Sequence, residues 1–339
     1  MLWSLPDGVD ELLAPKALEV EKLRRKLIDL YVASDYEFII PPLLELSETL
    51  GGEAHDEISS YAFSFLDDLT GKKLSIRPDI SEQASRIDAY RIASKEVVRL
   101  CYAGDVVKKR TSKVLRSRTT IQVGAEIFGD SSMESDLESI NLMIKSLLEI
   151  GLKDITLSLG HAGFTATVLS LFKDLDVSTF FQLEEALVRK SKSDLSNILP
   201  SDHKNLHFIM NLCDMYGSEE IIKEAKKTFK ELGDEVLDYL EHLTKIVRQL
   251  DLDQSVKIHI DLGEVQGFKY HNGIVFSAYS GSAGYALAKG GRYDGLRKAA
   301  DDDRPAIGFD LDLIAVSNIK EEWMTKTISL LGLQWGDEG

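Results

Sequence analysis

The chain has 339 residues and a formal net charge of −16, with 44% hydrophobic and 28% charged residues. This length allows two domains, and the acidic balance argues against a general nucleic-acid binder, whose electrostatic footprint is positive. No apolar run approaches the roughly 20 residues that cross a bilayer, and the N-terminus lacks the basic and apolar regions of a signal peptide. The two cysteines, Cys101 and Cys213, lie among apolar neighbours, as buried thiols do in a reducing compartment. We therefore expect a cytoplasmic protein with no membrane segment.

A helix and a strand open the predicted fold. Apolar residues recur at helical spacing from about Pro15 to Ala33, and Pro15 suits the first turn because its missing N–H would have no partner there. The apolar run 36–40 then predicts a strand, which Pro41 and Pro42 end because proline cannot donate to a sheet.

Two short strands and a second helix come next. The segments 62–66 and 74–77 flank a polar, glycine-containing turn and predict a hairpin. Ser81 then lies where its hydroxyl can cap a helix that runs to about Ile92. In the simplest interpretation, Asp79 and Ser81 do only this capping work.

The strands predicted at 97–104 and 119–128 enclose a loop rich in lysine and arginine. Side chains alternate along a strand, so one face of the second strand is apolar and is formed by Ile121, Val123, Ala125 and Ile127. The opposite face carries Thr120, Gln122, Gly124 and Glu126. An amide and a carboxylate on either side of a glycine suit a small ligand with an ammonium and an imidazole. The alternative is a strand with one solvated face.

The middle of the chain is predicted to be mainly helical. A helix at 136–149 and a strand at 155–159 precede a long stretch, 162–250, that has few β-branched runs and a single proline. We interpret this stretch as a helical insertion. Strands return at 256–261 and 273–278.

Two histidines in the helical stretch raise the question of a metal site. His203 and His207 are four residues apart, a spacing that would place both on one face of a helix. A zinc site needs more ligands than two, and no cysteine cluster accompanies them. We therefore expect no metal.

A glycine-rich motif lies near the end of the chain. Gly290 and Gly291 lead into Arg292, Tyr293 and Asp294, and a further glycine follows. Glycine permits a positive φ or a close approach of the backbone to another group. We therefore predict a loop that holds Arg292 and Tyr293 over a pocket. The alternative is an ordinary turn between a strand and a helix.

The segments 267–276, 289–296 and 304–309 resemble, in order and spacing, the last catalytic-domain motifs of the histidyl-tRNA synthetases. They resemble even more closely the regulatory subunits of ATP phosphoribosyltransferase, the catalytically silent relatives of those enzymes. The segment 36–42 resembles motif 1 of the class II synthetases, which builds the dimer interface of that family. The resemblance extends over about residues 1–318 and implies an α+β fold, an antiparallel sheet flanked by helices with a helical insertion domain.

The domain organisation that this resemblance implies has three parts. Residues 1–161 and 251–318 form a class II synthetase-like domain, 162–250 form the insertion, and 319–339 form a tail. The end of the tail, 324–339, resembles the beginning of adenylosuccinate synthetase but stops before the lysines of that enzyme's phosphate-binding loop. We interpret the tail as a gene-boundary read-through or a truncated fusion.

The resemblance assigns histidine binding to seven residues: Asp79, Ser81, Gln122, Glu126, Tyr270, His271 and Tyr293. Asp79, Ser81 and Gln122 would hold the α-ammonium of histidine. Glu126 and Tyr293, with His271, would hold the imidazole. Tyr270 matches the first tyrosine of the family signature, and His271 stands where the second tyrosine contacts the imidazole. The alternative for His271 is an ordinary loop histidine.

Cationic positions of the active synthetases are altered in this chain. Lys108, Gln266 and Ala315 stand where those enzymes have arginines, and Arg110 stands where they have a glutamate. Lysine lacks the planar fork of arginine, and the loss of fixed positive charge removes the main electrostatic contribution to phosphate chemistry. We therefore expect no catalytic residue and no cofactor.

The resemblance implies a regulatory subunit rather than an enzyme. A short catalytic subunit would require it to condense ATP with phosphoribosyl pyrophosphate, the first step of histidine biosynthesis, and L-histidine would inhibit that step through it. The implied partners are the catalytic subunit and a second copy of this chain, in a hetero-oligomer. We expect no action on tRNA, because the anticodon-reading α/β domain does not follow the last motif.

Three other functions stay open at this point. The chain could be an active histidyl-tRNA synthetase, or another synthetase paralogue that forms an aminoacyl-adenylate. It could also be a purely structural assembly protein, which would bind no histidine.

Overall fold

Strands form the centre of the molecule. The computed structural model describes residues 4–50, 60–109, 117–264, 271–281, 283–294 and 304–319. The strands within these ranges are β1 (Glu37–Ile39), β2 (Leu44–Leu46), β3 (Phe63–Leu66), β4 (Lys73–Ile76), β5 (Val98–Val107), β6 (Thr119–Phe128), β7 (Ile155–His161), β8 (Tyr216–Gly217), β9 (Val256–Asp261), β10 (Ile274–Ser280), β11 (Ala288–Arg292) and β12 (Ala306–Asp312).

The described helices lie before, between and after these strands. They are α1 (Lys16–Val32), α2 (Ser81–Ile87), α3 (Met133–Glu149), α4 (Ala162–Ser170), α5 (Val177–Val188), α6 (Lys192–Ile198), α7 (Leu206–Leu212), α8 (Glu220–Thr228) and α9 (Asp234–Gln249). A π-helical turn at Asp88–Ile92 continues α2, and residues 313–319 are helical. The predicted helix near residues 15–33 is thereby confirmed.

Nine strands form the main sheet, in the order β1-β5-β6-β12-β11-β10-β7-β9-β8. Its six inner strands, from β5 to β7, pair antiparallel, whereas β1 pairs with β5 and β9 pairs with β7 in parallel. The predicted antiparallel sheet is therefore confirmed for the inner strands and becomes mixed toward its edges. A second sheet has the order β2-β4-β3 and contains the predicted hairpin, to which β2 adds a strand that we did not predict.

One face of the main sheet is covered by α1 and α3. Helix α1 buries Val20, Leu23, Leu27, Ile28 and Tyr31 on its inner side, an apolar stripe at helical spacing. The ring of Tyr31 meets that of Phe309 on β12 edge to face, with centroids 5.9 Å apart. Burial of each large apolar side chain stabilises the fold by about 1.5–3 kcal/mol. Because α1 and α3 cover this face of the main sheet, a pocket can form only on the opposite face.

The glycines of the 289–296 motif lie within a strand rather than in a turn. Gly290 and Gly291 belong to β11, and neither has a positive φ, so both the predicted loop and the alternative turn are wrong at these positions. Close approach explains the glycines instead. A Cβ at Gly290 would lie 2.6 Å from the Phe276 ring, and one at Gly291 would lie 2.5 Å from Cδ2 of His271.

Helices occupy the stretch 162–249. Helices α4 to α9 follow one another there, and the short strand β8 pairs antiparallel with β9 at the edge of the main sheet. Cys213, after α7, is buried, as is Cys101 on β5, and both thiols are free, as predicted. None of the helices in the described ranges is long and apolar enough to span a membrane.

The two histidines considered for a metal site are not on one helix face. His203 precedes α7 and stacks on Phe172, with ring centroids 5.3 Å apart, whereas His207 lies within α7. Among the residues whose placement is described, no group of three or more potential His, Cys, Asp or Glu ligands could hold a metal ion.

We predict that Gly290→Ala destabilises the protein by about 1–3 kcal/mol, because the new methyl group overpacks the space between β11, the Phe276 ring and β12. Urea unfolding measures the change. Gly284→Ala is the control, since nothing lies within 4 Å of the position that its Cβ would take. Equal stability of the two variants would contradict the close-approach explanation.

Candidate functional site

A carboxylate and two glycines face each other across three neighbouring strands. Glu126 on β6 is the register partner of Gly308 on β12, which is in turn the partner of Gly291 on β11. Partners in antiparallel strands point to the same face of the sheet. A Cβ at Gly308 would overlap the carboxylate of Glu126, so glycine is required there. Gly124, two residues before Glu126, completes what we call the pocket floor: Gly124, Glu126, Gly291 and Gly308.

The Glu126 carboxylate is buried, with 1% of the residue exposed. The hydroxyl of Tyr293 donates to Oε2 at 2.5 Å, and that of Tyr102 donates to Oε1 at 3.0 Å. Burial raises the pKa of Glu126 to about 8, although these hydrogen bonds act in the opposite direction. The side chain therefore holds a proton near neutral pH, and it can give that proton to a basic ligand. The alternative of a solvated strand face is wrong here.

A second polar group adjoins the first. The side-chain amide of Gln122 donates from Nε2 to Asp79 Oδ2 at 3.0 Å and accepts from the backbone N–H of Ile80 at 2.8 Å. The other Asp79 oxygen accepts from the Ser81 N–H at 2.7 Å. Asp79 thus presents a carboxylate that the backbone and Gln122 hold in one orientation.

The prediction that Ser81 caps a helix is wrong. Ile80 is the N-cap residue of α2, and the N–H of Ser81 at the start of the helix donates to Asp79 rather than to a serine hydroxyl. The Ser81 hydroxyl instead forms a hydrogen bond of 2.9 Å with the Tyr102 hydroxyl. Because Tyr102 also donates to Glu126, Ser81 connects the Asp79 group to the Glu126 group.

Arg77 fixes the turn that carries Asp79 and Ser81. Its guanidinium is buried and donates to the carbonyl oxygens of Pro41 and Asp105, each at 2.8 Å. A Cβ at Gly104 would collide with this guanidinium. The arginine thereby joins the end of β4, the proline pair after β1 and the middle of β5.

His271 lies over the pocket floor. Its ring is the nearest neighbour of a Cβ built at Gly291, and it meets the Tyr293 ring edge to face, with centroids 6.4 Å apart. The structure thus brings together six of the predicted site residues, namely Asp79, Ser81, Gln122, Glu126, His271 and Tyr293. Tyr270 and Gln266 lie outside the described residues.

Arg292 anchors the strand that delivers Tyr293. Its guanidinium, 7% exposed, lies 2.7 Å from Asp136 Oδ1 on α3 and donates to Ser135 Oγ at 2.8 Å. The second Asp136 oxygen lies 3.2 Å from His242 Nε2 on α9. Asp136 therefore joins the motif on β11 to both α3 and a helix of the 162–249 stretch. The predicted loop holding Arg292 over the pocket is wrong, because this side chain points into the protein.

Two residues of the site were missed by the sequence analysis. Tyr102, the register partner of Gly124, contacts both Ser81 and Glu126. Asp310, the partner of Gly124 on the other side, lies on the same face. Tyr102 could have been predicted from the alternation of side chains along β5 and its register against β6. That register is hard to predict, because a long loop joins the two strands.

Ala315, which by the sequence resemblance stands where the active synthetases have an arginine, is uncharged and lies beside a carboxyl group. Ala315 is buried, and its N–H donates to Asp312 Oδ1 at 2.9 Å; the same oxygen accepts from Thr120. Burial raises the pKa of Asp310, with Asp79 acting in the same direction and the cations Lys289 and Lys108 in the opposite one.

Comparison with known proteins agrees with this geometry. A model of the histidyl-tRNA synthetase family matches residues 8–316. An ATP phosphoribosyltransferase regulatory subunit from Teredinibacter turnerae is 38% identical over 320 residues, which are 93% of this chain and 80% of the relative. The chain belongs to the family of ATP phosphoribosyltransferase regulatory subunits. It is accordingly not the catalytic subunit of that enzyme.

Solved structures of regulatory subunits and synthetases show the same fold. A protein from Bacillus halodurans, described as an ATP phosphoribosyltransferase regulatory subunit/histidyl-tRNA synthetase, superposes with a TM-score of 0.79 at 24% identity and covers 94% of this chain and 83% of that one. A chain of the HisG:HisZ complex of ATP phosphoribosyltransferase from Thermotoga maritima gives a TM-score of 0.61 at 18% identity and covers 87% and 97%. The predicted class II synthetase-like fold is confirmed.

We predict that Glu126→Gln stabilises the protein, increasingly so as the pH rises from about 4.5 to about 8. The native carboxyl, with its pKa of about 8, holds a proton in this range, whereas the unfolded one, with an ordinary value of 4.5, does not. The free energy of unfolding therefore falls with rising pH by up to about 1.4 kcal/mol per unit. Glutamine removes this dependence.

Urea unfolding of both proteins at several pH values measures the effect. Glu219→Gln, at an exposed position in the 162–249 stretch, is the matched control. A difference between wild type and Glu126→Gln that stays constant from pH 5 to pH 8 would contradict the protonated state of Glu126.

Proposed function

We propose that this chain binds L-histidine over the pocket floor and, in the cytoplasm, both activates a short catalytic subunit of ATP phosphoribosyltransferase and makes it sensitive to histidine. It does no chemistry itself and does not act on tRNA. The observation that carries the proposal is the buried Glu126 carboxyl, held between two tyrosine hydroxyls beside the Asp79 group.

The two polar groups complement the two basic groups of histidine. Glu126 is buried, and a hydrogen bond between a buried carboxyl and an imidazole is stronger than the same bond in water. Asp79, oriented by Gln122 and the Ser81 N–H, offers a carboxylate to the α-ammonium. Proton transfer from Glu126 to the imidazole would leave an ion pair, which removes the cost of an isolated buried charge.

Inhibition requires that histidine bind one state of the complex more tightly than another. Tyr293 contacts Glu126 directly, and its neighbour Arg292 is tied through Asp136 to α3 and to His242 on α9. A ligand that changes the contacts of Tyr293 therefore acts on a strand bonded to two helices. This connection supports a route from the pocket to the surface that meets the catalytic subunit.

The rate of condensation of ATP with phosphoribosyl pyrophosphate by a cognate short catalytic subunit tests the proposal. It is measured with and without this chain, and then with added histidine. We expect activation by the chain and its reversal by histidine. A catalytic subunit that ignores the chain, or histidine-driven ATP–pyrophosphate exchange by the chain alone, would contradict the regulatory function.

We predict that Glu126→Ala abolishes histidine inhibition, because it removes the hydrogen-bond partner of the imidazole. The readout is the ratio of condensation rates with and without histidine within one variant, so a lower basal rate does not affect it. Glu126→Gln, which keeps the volume of the side chain, is the companion variant and should lose most of the inhibition. Inhibition at the wild-type histidine concentration in both variants would exclude this pocket.

We further propose that two copies of the chain pair through the second sheet. Residues directly opposite in antiparallel strands share a face, and one face of this sheet is entirely apolar: Leu44, Leu46, Phe63, Phe65, Leu74 and Ile76. Leu44 and Phe65 are each 44% exposed, and Ile40, which precedes the proline pair, is 81% exposed. Exposed apolar surface of this kind marks an interaction site, here beside the segment that resembles motif 1.

We predict that Leu44→Glu converts a dimer of this chain to a monomer, because a charge in an apolar interface is desolvated without a partner. Light scattering after size-exclusion chromatography gives the mass. Val188→Glu is the matched control, since Val188 is 43% exposed on α5, away from the second sheet. A Leu44→Glu protein that stays dimeric would place the pairing surface elsewhere.

A further inference from the structure

The seven residues predicted to contact histidine include acids for the ammonium and the imidazole, but none of the seven carries a fixed positive charge for the carboxylate. The seven predicted contacts are two acids, two tyrosines, a serine, a glutamine and a histidine. The arginine of the active synthetases is replaced by Gln266. A carboxylate placed beside Asp79 without a cation would be repelled, so selective binding of an amino acid requires a positive charge from another element.

The register of the main sheet places a lysine on the pocket side. Lys289 on β11 is the partner of Asp310 on β12, which is the partner of Gly124 on β6. Since partners project to the same face, Lys289, Asp310 and Gly124 form one row across three strands. This row lies next to that of Gly291, Gly308 and Glu126, on the same side of the sheet.

The two ionisable side chains in this row, Lys289 and Asp310, interact electrostatically. Lys289 lowers the pKa of the Asp310 carboxyl, against the effect of its burial. The row therefore combines an acid and a cation on the pocket face of the sheet, next to Gly124 and the Tyr102 hydroxyl that packs against it. This arrangement suits the ammonium and carboxylate of one zwitterion. Lys289 is exposed, and its flexible four-carbon stem lets the ammonium adjust to a ligand.

Lys108 is the other cation that acts on Asp310, but its position is less favourable than that of Lys289 for binding the carboxylate of the ligand. Tyr102 is the β5 residue in the row of Gly124, and Lys108 follows it by six positions, past the end of β5 at Val107. It stands where the synthetases bind the phosphate of ATP. Lys289 lies in the row itself.

We propose that Lys289 binds the α-carboxylate of the amino acid held over the pocket floor and thereby makes the site selective for histidine over imidazole-bearing amines. This inference rests on the proposed function, because it concerns the same ligand. Lys289 would supply, from β11, the positive charge that glutamine at position 266 does not carry.

Binding of two ligands to the full chain tests the inference by isothermal titration calorimetry. L-Histidine has the imidazole, the ammonium and the carboxylate, whereas histamine has only the first two. In the wild type we expect histidine to bind more tightly than histamine. We expect Lys289→Gln to weaken histidine binding by about tenfold or more, the effect of losing a hydrogen bond to a charged group, and to change histamine binding by less than about twofold.

Two further variants make the result specific. Lys289→Arg keeps the positive charge and should retain the preference for histidine. Lys257→Gln removes a lysine from β9, an edge-side strand of the same sheet, and should leave both affinities as in the wild type. This control separates a local contact from the general loss of a positive charge.

The outcomes distinguish the inference from the function on which it rests. If the wild type binds neither ligand, the proposed function and the inference both fail. If the wild type binds histidine and Lys289→Gln binds it equally well, or loses histidine and histamine to the same degree, only the role of Lys289 is overturned.

Discussion

The buried carboxyl of Glu126 is the constraint on which the rest of the site depends. A carboxyl group that is 1% exposed, and that is hydrogen-bonded by two hydroxyls rather than by a cation in the described structure, requires donors and space. The hydroxyls of Tyr102 and Tyr293 supply the donors. Gly308 supplies the space, because any side chain there would occupy the position of the carboxylate. The glycine on β12 thus follows from one acidic residue on β6, whereas Phe276 and His271 require the glycines on β11.

In the proposed function, the same carboxyl connects the pocket to regulation. Because its pKa is raised to about 8, the Glu126 carboxyl is uncharged near neutral pH, and in the proposed complex the imidazole of histidine would accept its proton. The hydroxyl of Tyr293 donates a hydrogen bond to this carboxyl. The preceding residue in the sequence is Arg292, whose guanidinium forms an ion pair with Asp136. The pocket and the helices are therefore connected through two neighbouring residues, the last residue of β11 and the one that follows it.

Much of the fold could be predicted from periodicity. The strand at 119–128 has the predicted bounds and the predicted apolar face, because alternation against a buried layer leaves little freedom. The second sheet was only partly found, since β2 has three residues and carries no turn signal. The glycine motif was placed in a loop because glycine is typical of turns, whereas here the close approach of neighbouring strands requires it.

The site was partly predictable for a related reason. Gln122 and Glu126 each lie two positions from Gly124 on one strand, so that strand alone showed their common face. Tyr102 and Lys289 reach that face from other strands, and their inclusion depends on the register of long-range pairs, which one sequence does not reveal. Ser81 was expected to cap a helix by a local rule, but its contact with Tyr102 comes from tertiary structure.

The central claim is that histidine lies over the pocket floor with its imidazole against Glu126. A crystal structure of the chain with bound L-histidine tests it most directly. The account predicts a ring nitrogen about 3 Å from a Glu126 carboxyl oxygen, with the α-ammonium beside Asp79. Histidine bound at another surface, with the Tyr293–Glu126 hydrogen bond unchanged and the pocket empty, would contradict it.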